Sequence, residues 1–243
     1  MFQWGFDEEH IPALPRYGQS FSKPDKKTLR LARASNGARM FERADLWAML
    51  YGSTVEGKPV SGAAQPLRSM ILIALNAGHG NSDIGRLPLS SVNLKTGWLD
   101  FRRPKTGIDR RVPLWDETIE SLREWLDVRP AGKDAATDAL VFVTARGGSW
   151  FKVKDDNPIS KETAKLLKRL GLQQRGLNFY SLRRTFRTIA SETRDEAAAD
   201  AIMGHSPKSD DMASVYRQRV DDDRLLAVAR HVHDWLFPRP TVG

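Results

Sequence analysis

Apolar residues recur along this chain with two different periods, and the places where one gives way to the other outline the fold. FERADLWAML (41–50) reads as a short helix with Phe41, Leu46, Met49 and Leu50 turned inward. The following YGSTVEGKPVSGAAQ is expected to be a loop. LRSMILIALNA (67–77) is apolar almost all round, and its length and neighbours make it a helix central to the core rather than a strand. AGHGNSD then turns, and a short helix is expected over 82–88 with Ser82 or Asn81 as its cap. Here the period drops to two. GWLDFRR alternates, with Leu99 and Phe101 on one face, KTGIDR turns, and RRVPL returns, which predicts an antiparallel hairpin.

Helical spacing resumes at Asp116, the expected cap of DETIESLREWLDVR, whose apolar face carries Ile119, Leu122 and Leu126. PAGKDAATD reads as a linker and ALVFVTA as a short buried strand. Gly147 and Gly148 mark a turn that opens an edge strand around Trp150. Ser160 starts the helix KETAKLLKRLG, closed by Gly171. Further helices are expected at 181–192, 196–203, 209–218 and 221–236. Pro12, Pro15, Pro24 and Gly18 interrupt residues 1–40, which read as an irregular arm, with a compact domain beginning near Met40. The sum is an α+β fold, mainly helical with a small antiparallel sheet. There is no regular βαβ alternation and no GxxxxGK(S/T) segment, which argues against a Rossmann or P-loop nucleotide site.

Composition narrows the chemistry. The chain has 243 residues, no cysteine and a formal net charge of +8. Without cysteine there is no disulfide, no thiolate nucleophile and no cysteine-based zinc site. The first ten residues, MFQWGFDEEH, lack the basic-then-apolar pattern of a secretion signal, so the simplest setting is the cytoplasm, close to the nucleoid, with no membrane partner. The basic residues are clustered. Arg102, Arg103, Lys105, Arg110 and Arg111 gather within 102–111. Lys161, Lys165, Lys168, Arg169, Arg175, Arg183, Arg184 and Arg187 lie in 161–187 against Glu162 alone. Such clusters suit a phosphate backbone, and the partner they imply is double-stranded DNA. Arg184, Arg187, Arg86, Arg103, Arg111 and Lys161 are the expected DNA or phosphate contacts. A merely solvated cationic surface is the competing explanation.

Nucleophilic cleavage of a phosphodiester needs a nucleophile, cations on the non-bridging oxygens, an acid for the leaving oxygen and an orienting hydrogen bond. Arginine suits the second task because its planar fork meets phosphate in two places. Arg183 opens a helix beside Tyr180, His205 follows Gly204 at a helix end, Lys105 sits in a Thr-Gly turn, and Tyr216 is one of only four tyrosines. Each alone has an ordinary structural explanation; their order along the chain is the specific signal.

That order resembles the tyrosine recombinase, or phage integrase, family over about residues 40–236, its catalytic domain. RRPKTGIDRRVPL is similar to the family's turn lysine before a V-P-L strand and points to Lys105. Tyr180-Ser181-Leu182-Arg183-Arg184-Thr185-Phe186 resembles the H-x-x-R box, Met203-Gly204-His205-Ser206 the L-G-H box, and the nucleophile then falls on Tyr216. The resemblance implies that Tyr216 attacks the scissile phosphate to form a 3′-phosphotyrosyl link. Arg183 and His205 would stabilise the phosphorane, with Tyr180 in the place of the orienting histidine. Lys105 would protonate the departing 5′-oxygen, and a 5′-hydroxyl reverses the step with no metal and no energy cofactor. It also implies that residues 1–39 are a linker following an N-terminal core-binding domain, that 237–243 are a tail, and that the last helix docks onto a neighbouring copy in a tetramer on DNA.

Three positions depart from the family pattern. The T-G-x-R box falls on Ala77-Gly78-His79-Gly80, so Gly80 stands where the first catalytic arginine is expected, with Asp83 matching the acid that supports it. Losing one such electrostatic donor costs about 3–4 kcal/mol of transition-state stabilisation. His79 offers a weaker contact, and Arg86 is six residues beyond Gly80, off its helical face. Tyr180 replaces a histidine, and Tyr216 lies 11 residues past His205, a longer step than the family's usual one. Two other functions therefore stay open. One is a non-cleaving DNA-binding or accessory protein of the same fold; the other is a related topoisomerase.

Overall fold

The computed structural model describes residues 2–16, 18, 24–35, 39–152, 157–205 and 219–238, and the chain divides into two units, Met1–Ala38 and Arg39–Gly243. In the first unit two helices form where the sequence predicts an irregular arm: α1 (Phe2–Asp7) and α2 (Lys26–Ala34). The prolines bound them rather than prevent them, and the Asp25 carboxylate accepts from Thr28 N at 2.6 Å at the start of α2.

The second unit begins with α3 (Arg43–Tyr51), whose Leu46, Met49 and Leu50 are buried together with Phe41 just ahead of it. The expected loop after it is instead a small hairpin, β1 (Ser53–Val55) against β2 (Lys58–Val60), with Thr54 opposite Pro59. Its two-residue turn holds Glu56 and Gly57 both at positive φ, 49° and 76°. Only the glycine advertises such a turn in sequence, because glutamate seldom adopts that conformation. Then come α4 (Leu67–Ala77), with the bounds expected, and α5 (Asn81–Ile84), shorter than expected and preceded by Gly80 at its N-cap.

The predicted β hairpin forms as β4 (Trp98–Asp100) and β5 (Arg111–Pro113), and β3 (Val92–Asn93) adds a third antiparallel strand in the order β3-β4-β5. Leu99 stands between Val92 and Val112. Helix α6 (Asp116–Val128) is capped at Trp115, not Asp116, and buries Thr118, Ser121, Leu122 and Trp125, while Ile119 and Leu126 are half-buried. The expected linker contains α7 (Ala135–Asp138), capped by the Asp134 side chain. Val141, Phe142 and Val143 are buried, but they form no strand; Leu140 and Val143 make isolated bridges to Pro88 and Ser149, and no strand forms around Trp150. Helix α8 (Pro158–Arg169) starts at a proline under an Asn157 cap, ahead of the expected Ser160, because proline fits the first turn, where its missing N–H is not needed. The remaining helices are α9 (Phe179–Ser191), α10 (Glu196–Met203) and α11 (Asp222–Leu236). The helix expected at 209–218 lies outside the described residues.

Helix α4 is the axis of this unit. Every residue but Arg68 is buried, and it packs against α3, α6, α8, α9 and α11. A helix apolar on all sides has no stable place except surrounded by others, and each Leu, Ile or Met it buries contributes about 1.5–3 kcal/mol. Its polar residues are spent on position. Asn76 donates to Pro113 O at 2.9 Å and accepts from Trp115 N at 2.8 Å, tying the end of α4 to the end of β5. The Trp115 indole donates to Ala229 O of α11 at 3.0 Å. These bonds fix where α4 stops, and the site lies just beyond that stop. Among the described residues no helix is long and apolar enough to cross a membrane.

Candidate active site

Two helices end and one begins at the same place. Helix α4 closes on Gly78 and α10 on Gly204, both left-handed, with φ of 60° and 62°. Neither position tolerates a side chain. A Cβ on Gly78 would lie 2.8 Å from the Phe186 ring, and one on Gly204 would lie 2.7 Å from Arg110 Cδ. The last carbonyls of a helix lack partners within it and form the negative end of its dipole. Arg183, in the first half of α9, answers both: Nη1 donates to Gly78 O, and Nη2 donates to Met203 O at 3.1 Å. Arg183 is 2% exposed.

Nη2 of Arg183 also reaches His205 Nε2 at 2.8 Å, while His205 Nδ1 stands 2.9 Å from Asp200 Oδ1. A guanidinium can only donate. Nε2 is therefore the acceptor, Nδ1 carries the proton towards Asp200, and the ring is neutral. Burial lowers the His205 pKa from its ordinary value; the Asp200 hydrogen bond opposes this, and Arg183 adds to it. Burial lowers the Arg183 pKa as well, with Arg103 acting in the same direction.

The hairpin turn closes the other side. Arg103 Nη1 and Thr106 Oγ1 each donate to Gly204 O at 3.1 Å, so the turn that carries the exposed Lys105 is fastened over the residue preceding His205. Arg103 and Arg110 flank Asp83, with Arg103 Nε 3.9 Å and Arg110 Nη1 3.3 Å from Asp83 Oδ2. Burial opposes the charged form of Asp83, but Arg110, the Gly80 N–H and Arg103 together hold its carboxyl below the usual range. Asp83 Oδ2 accepts from Gly80 N at 3.2 Å. Gly80 is buried, and a Cβ there would fit, meeting Tyr180 Cδ2 at 3.8 Å and Asp83 Oδ2 at 3.9 Å, ordinary contact distances.

His79 offers no phosphate contact. It is fully buried, stacked on Phe101 at 6.1 Å, with Nδ1 3.2 Å from Ala77 O. Burial, with Arg110 adding to it, pushes its pKa down to about 3, so it is neutral. Arg86 lies over the Phe151 ring at 3.5 Å rather than beside Asp83. Tyr180 is 46% exposed, its ring 3.8 Å from where a Cβ on Gly80 would lie, with the Arg184 guanidinium 5.3 Å over its ring. Arg187 pairs with Glu196 and stands 3.2 Å from Asp200. Arg111 makes paired bonds of 2.9 and 3.0 Å to Asp222 and stacks on Trp98 at 4.0 Å, which ties β5 to α11. Lys161 is exposed on the first turn of α8. Tyr216 lies outside the described residues. The structure thus brings together Arg183, His205, Arg103, Tyr180 and the Lys105 turn, and leaves Arg86 and Arg111 on other contacts. Among the described residues no group of His, Asp and Glu is placed to hold a metal ion.

Arg110 is the residue that sequence reasoning missed. Two adjacent arginines after a turn look like one solvated pair. Strand alternation was the available signal: Arg110 is two residues from the fully buried Val112, hence on the inward face.

A model of the phage integrase family matches residues 57–223. Among solved structures, the chain is similar to the Tn1549 transposon integrase (residues 82–397) in complex with circular intermediate DNA. Identity is 16% and TM-score 0.57, over 93% of this chain and 73% of that one. It is similar to a lambda integrase (residues 75–356) dimer bound to a COC′ core site, with 16% identity, a TM-score of 0.56 and coverage of 91% and 71%. It is also similar to the XerH site-specific recombinase bound to palindromic difH substrate, with 20% identity, a TM-score of 0.56 and coverage of 79% and 52%. The chain therefore spans about half of that XerH chain. These likenesses show the fold. No curated protein matches the sequence.

Proposed function

Since the chain belongs to the phage integrase family of tyrosine recombinases, we propose that it cuts and rejoins double-stranded DNA at specific sites through a 3′-phosphotyrosyl bond on Tyr216. The observation that carries this reading is the convergence of Arg183, His205 and the Lys105 turn on the ends of α4 and α10. Donors anchored on helix ends are held in place before the reaction, which is what stabilising a phosphorane requires.

In this account the Tyr216 oxygen attacks phosphorus, the P–O5′ bond breaks, and Lys105 gives its proton to the 5′-oxygen. Arg183 carries charge on a non-bridging oxygen. His205, neutral and held by Asp200, turns its Nε2 from Arg183 to accept the tyrosine proton. The free 5′-hydroxyl later attacks the phosphotyrosine and restores the diester, so the bond energy is conserved and no energy cofactor is consumed. Tyr180, Arg184 and Lys161 would meet flanking phosphates. Arg187 holds α10 through Glu196 and Asp200, and so holds the carboxylate that orients His205.

Self-association on DNA belongs to the same reading. Helix α11 buries Leu225, Val228, Ala229, Val232 and Leu236 within its own unit, so the surface it has left for a neighbouring copy is its outward face, around the exposed Leu226.

The test is a nicked suicide duplex, whose short 5′-fragment diffuses away and traps the adduct. The wild-type chain is expected to form a covalent complex that Tyr216→Phe abolishes. A second reading, a protein that binds DNA without cutting it, is favoured by Gly80. It is the right one if both proteins bind the duplex equally and neither forms an adduct.

A further inference from the structure

The peptide that joins Gly204 to His205 is held from both sides. Its N–H, on His205, donates to Asp200 O at 3.0 Å. Its carbonyl, on Gly204, accepts from Arg103 Nη1 and from Thr106 Oγ1, each at 3.1 Å. Helix α10 has ended at Met203, so no further helical turn supplies a donor for that oxygen. Both donors come instead from the β4–β5 turn, 101 and 98 residues away in the chain. The fit is close, since a Cβ on Gly204 would lie 3.1 Å from Arg103 Cδ.

The turn is also bonded within itself. Phe101 N donates to Arg110 O at 3.0 Å and Arg103 N to Ile108 O at 2.8 Å, which continues the hairpin beyond its strands. Thr106 N and Gly107 N both close on Arg103 O, at 3.2 and 2.8 Å, and Gly107 takes a φ of 70°. The two side chains that grip Gly204 O therefore bracket Lys105 in the turn. Lys105 is exposed and ends a flexible four-carbon stem. Where its ammonium can reach is set by how the turn is held, and the turn is held on the peptide that carries His205.

Resting on the function proposed above, we propose that Thr106, with Arg103, is a positioning residue for proton delivery by Lys105. By clasping Gly204 O these side chains set the general acid and the proton acceptor His205 in one frame. In the step they serve, the Tyr216 oxygen bonds to phosphorus and its proton passes to His205. The P–O5′ bond breaks with its electron pair going to the 5′-oxygen, and the Lys105 proton goes to that oxygen. Thr106 is the cleaner of the two to test. It is half-buried and uncharged, and its loss leaves Arg103 on the carbonyl.

The experiment uses two suicide duplexes, one with the ordinary diester and one with sulfur in place of the bridging 5′-oxygen. A thiol ionises at about pH 8.5, so a 5′-thiolate leaves without a proton, whereas a 5′-alkoxide needs one. Wild type, Lys105→Ala, Thr106→Val and Thr106→Ser are checked for folding by circular dichroism and followed by single-turnover adduct formation. On the diester, Lys105→Ala is expected to lose about 100-fold or more and Thr106→Val about tenfold. On the sulfur duplex both are expected to return to within about twofold of wild type. Thr106→Ser keeps the hydroxyl and stays near wild type on both. A merely structural Thr106 would lose equally on the two duplexes. That result, an unchanged diester rate in Thr106→Val, or a Lys105→Ala that sulfur does not rescue overturns the proposal alone. If Thr106→Val does not fold, Thr106→Ala carries the same comparison. A wild-type chain that forms adduct only on the sulfur duplex keeps the tyrosine reading and overturns the proposal. A wild-type chain that forms adduct on neither overturns both.

Discussion

At the scale of single residues the site is set by protonation states that burial imposes. His79 is neutral inside the core with a pKa of about 3, far below the ordinary histidine value. The unfolded chain therefore takes up a proton first as pH falls. The stability tied to a neutral His79 is complete above about pH 6.5 and drains away towards pH 3, at about 1.4 kcal/mol per pH unit. By pH 5 the loss is about 2 kcal/mol. His205, shifted in the same direction, adds to it. Chemical denaturation at several pH values is expected to show His79→Leu losing less stability between pH 6.5 and pH 5 than wild type. A curve as steep as that of wild type would show that His79 is not held neutral. What made Arg183 and His205 legible in sequence was their order and motif company. Arg110 carried no motif, and its burial is a matter of which way the backbone leading into β5 faces.

Among the elements, α4 and the β4–β5 hairpin were readable because their patterns are strong. Helix α4 is an unbroken apolar segment of helical length, and the hairpin alternates on both sides of a Thr-Gly turn. The β1–β2 hairpin was not readable, since its turn places a glutamate at positive φ. Residues 140–143 have strand-like composition, but they make single bridges instead of a ladder while Val141, Phe142 and Val143 lie buried, a tertiary outcome that local pattern does not encode. The most sensitive element boundary is the end of α4. Gly78→Ala would place a methyl 2.8 Å from Phe186 and 3.1 Å from Met203, at a backbone angle that alanine resists. The expected cost is about 2–4 kcal/mol, read as a lower midpoint in urea. Displacing the Gly78 carbonyl also loosens Arg183, so adduct formation should fall even under conditions where the variant is folded. A variant of wild-type stability and rate would remove the helix-end anchors from the account.

For the whole molecule, under the proposed function the net charge of +8 would act on DNA through those cations that acids leave available. DNA affinity is expected to fall linearly with salt on logarithmic axes, each phosphate contact contributing about 0.9 to the slope. Arg184, over the ring of the exposed Tyr180, is proposed to make such a contact. Arg111 is already held by Asp222 and Asp100. Arg184→Gln should therefore reduce the slope by about one, and Arg111→Gln by much less. Equal effects would mean that the Arg111 ion pairs do not persist when DNA arrives.

The central claim, that this fold cuts DNA through Tyr216, is tested most directly by mapping the covalent adduct. The complex trapped on the suicide duplex is digested with protease and nuclease, and the modified peptide is sequenced by mass spectrometry. The account predicts one peptide, spanning Tyr216, that carries a nucleotide through its 3′-phosphate. A nucleotide on any other residue, or one linked through its 5′-phosphate, contradicts it.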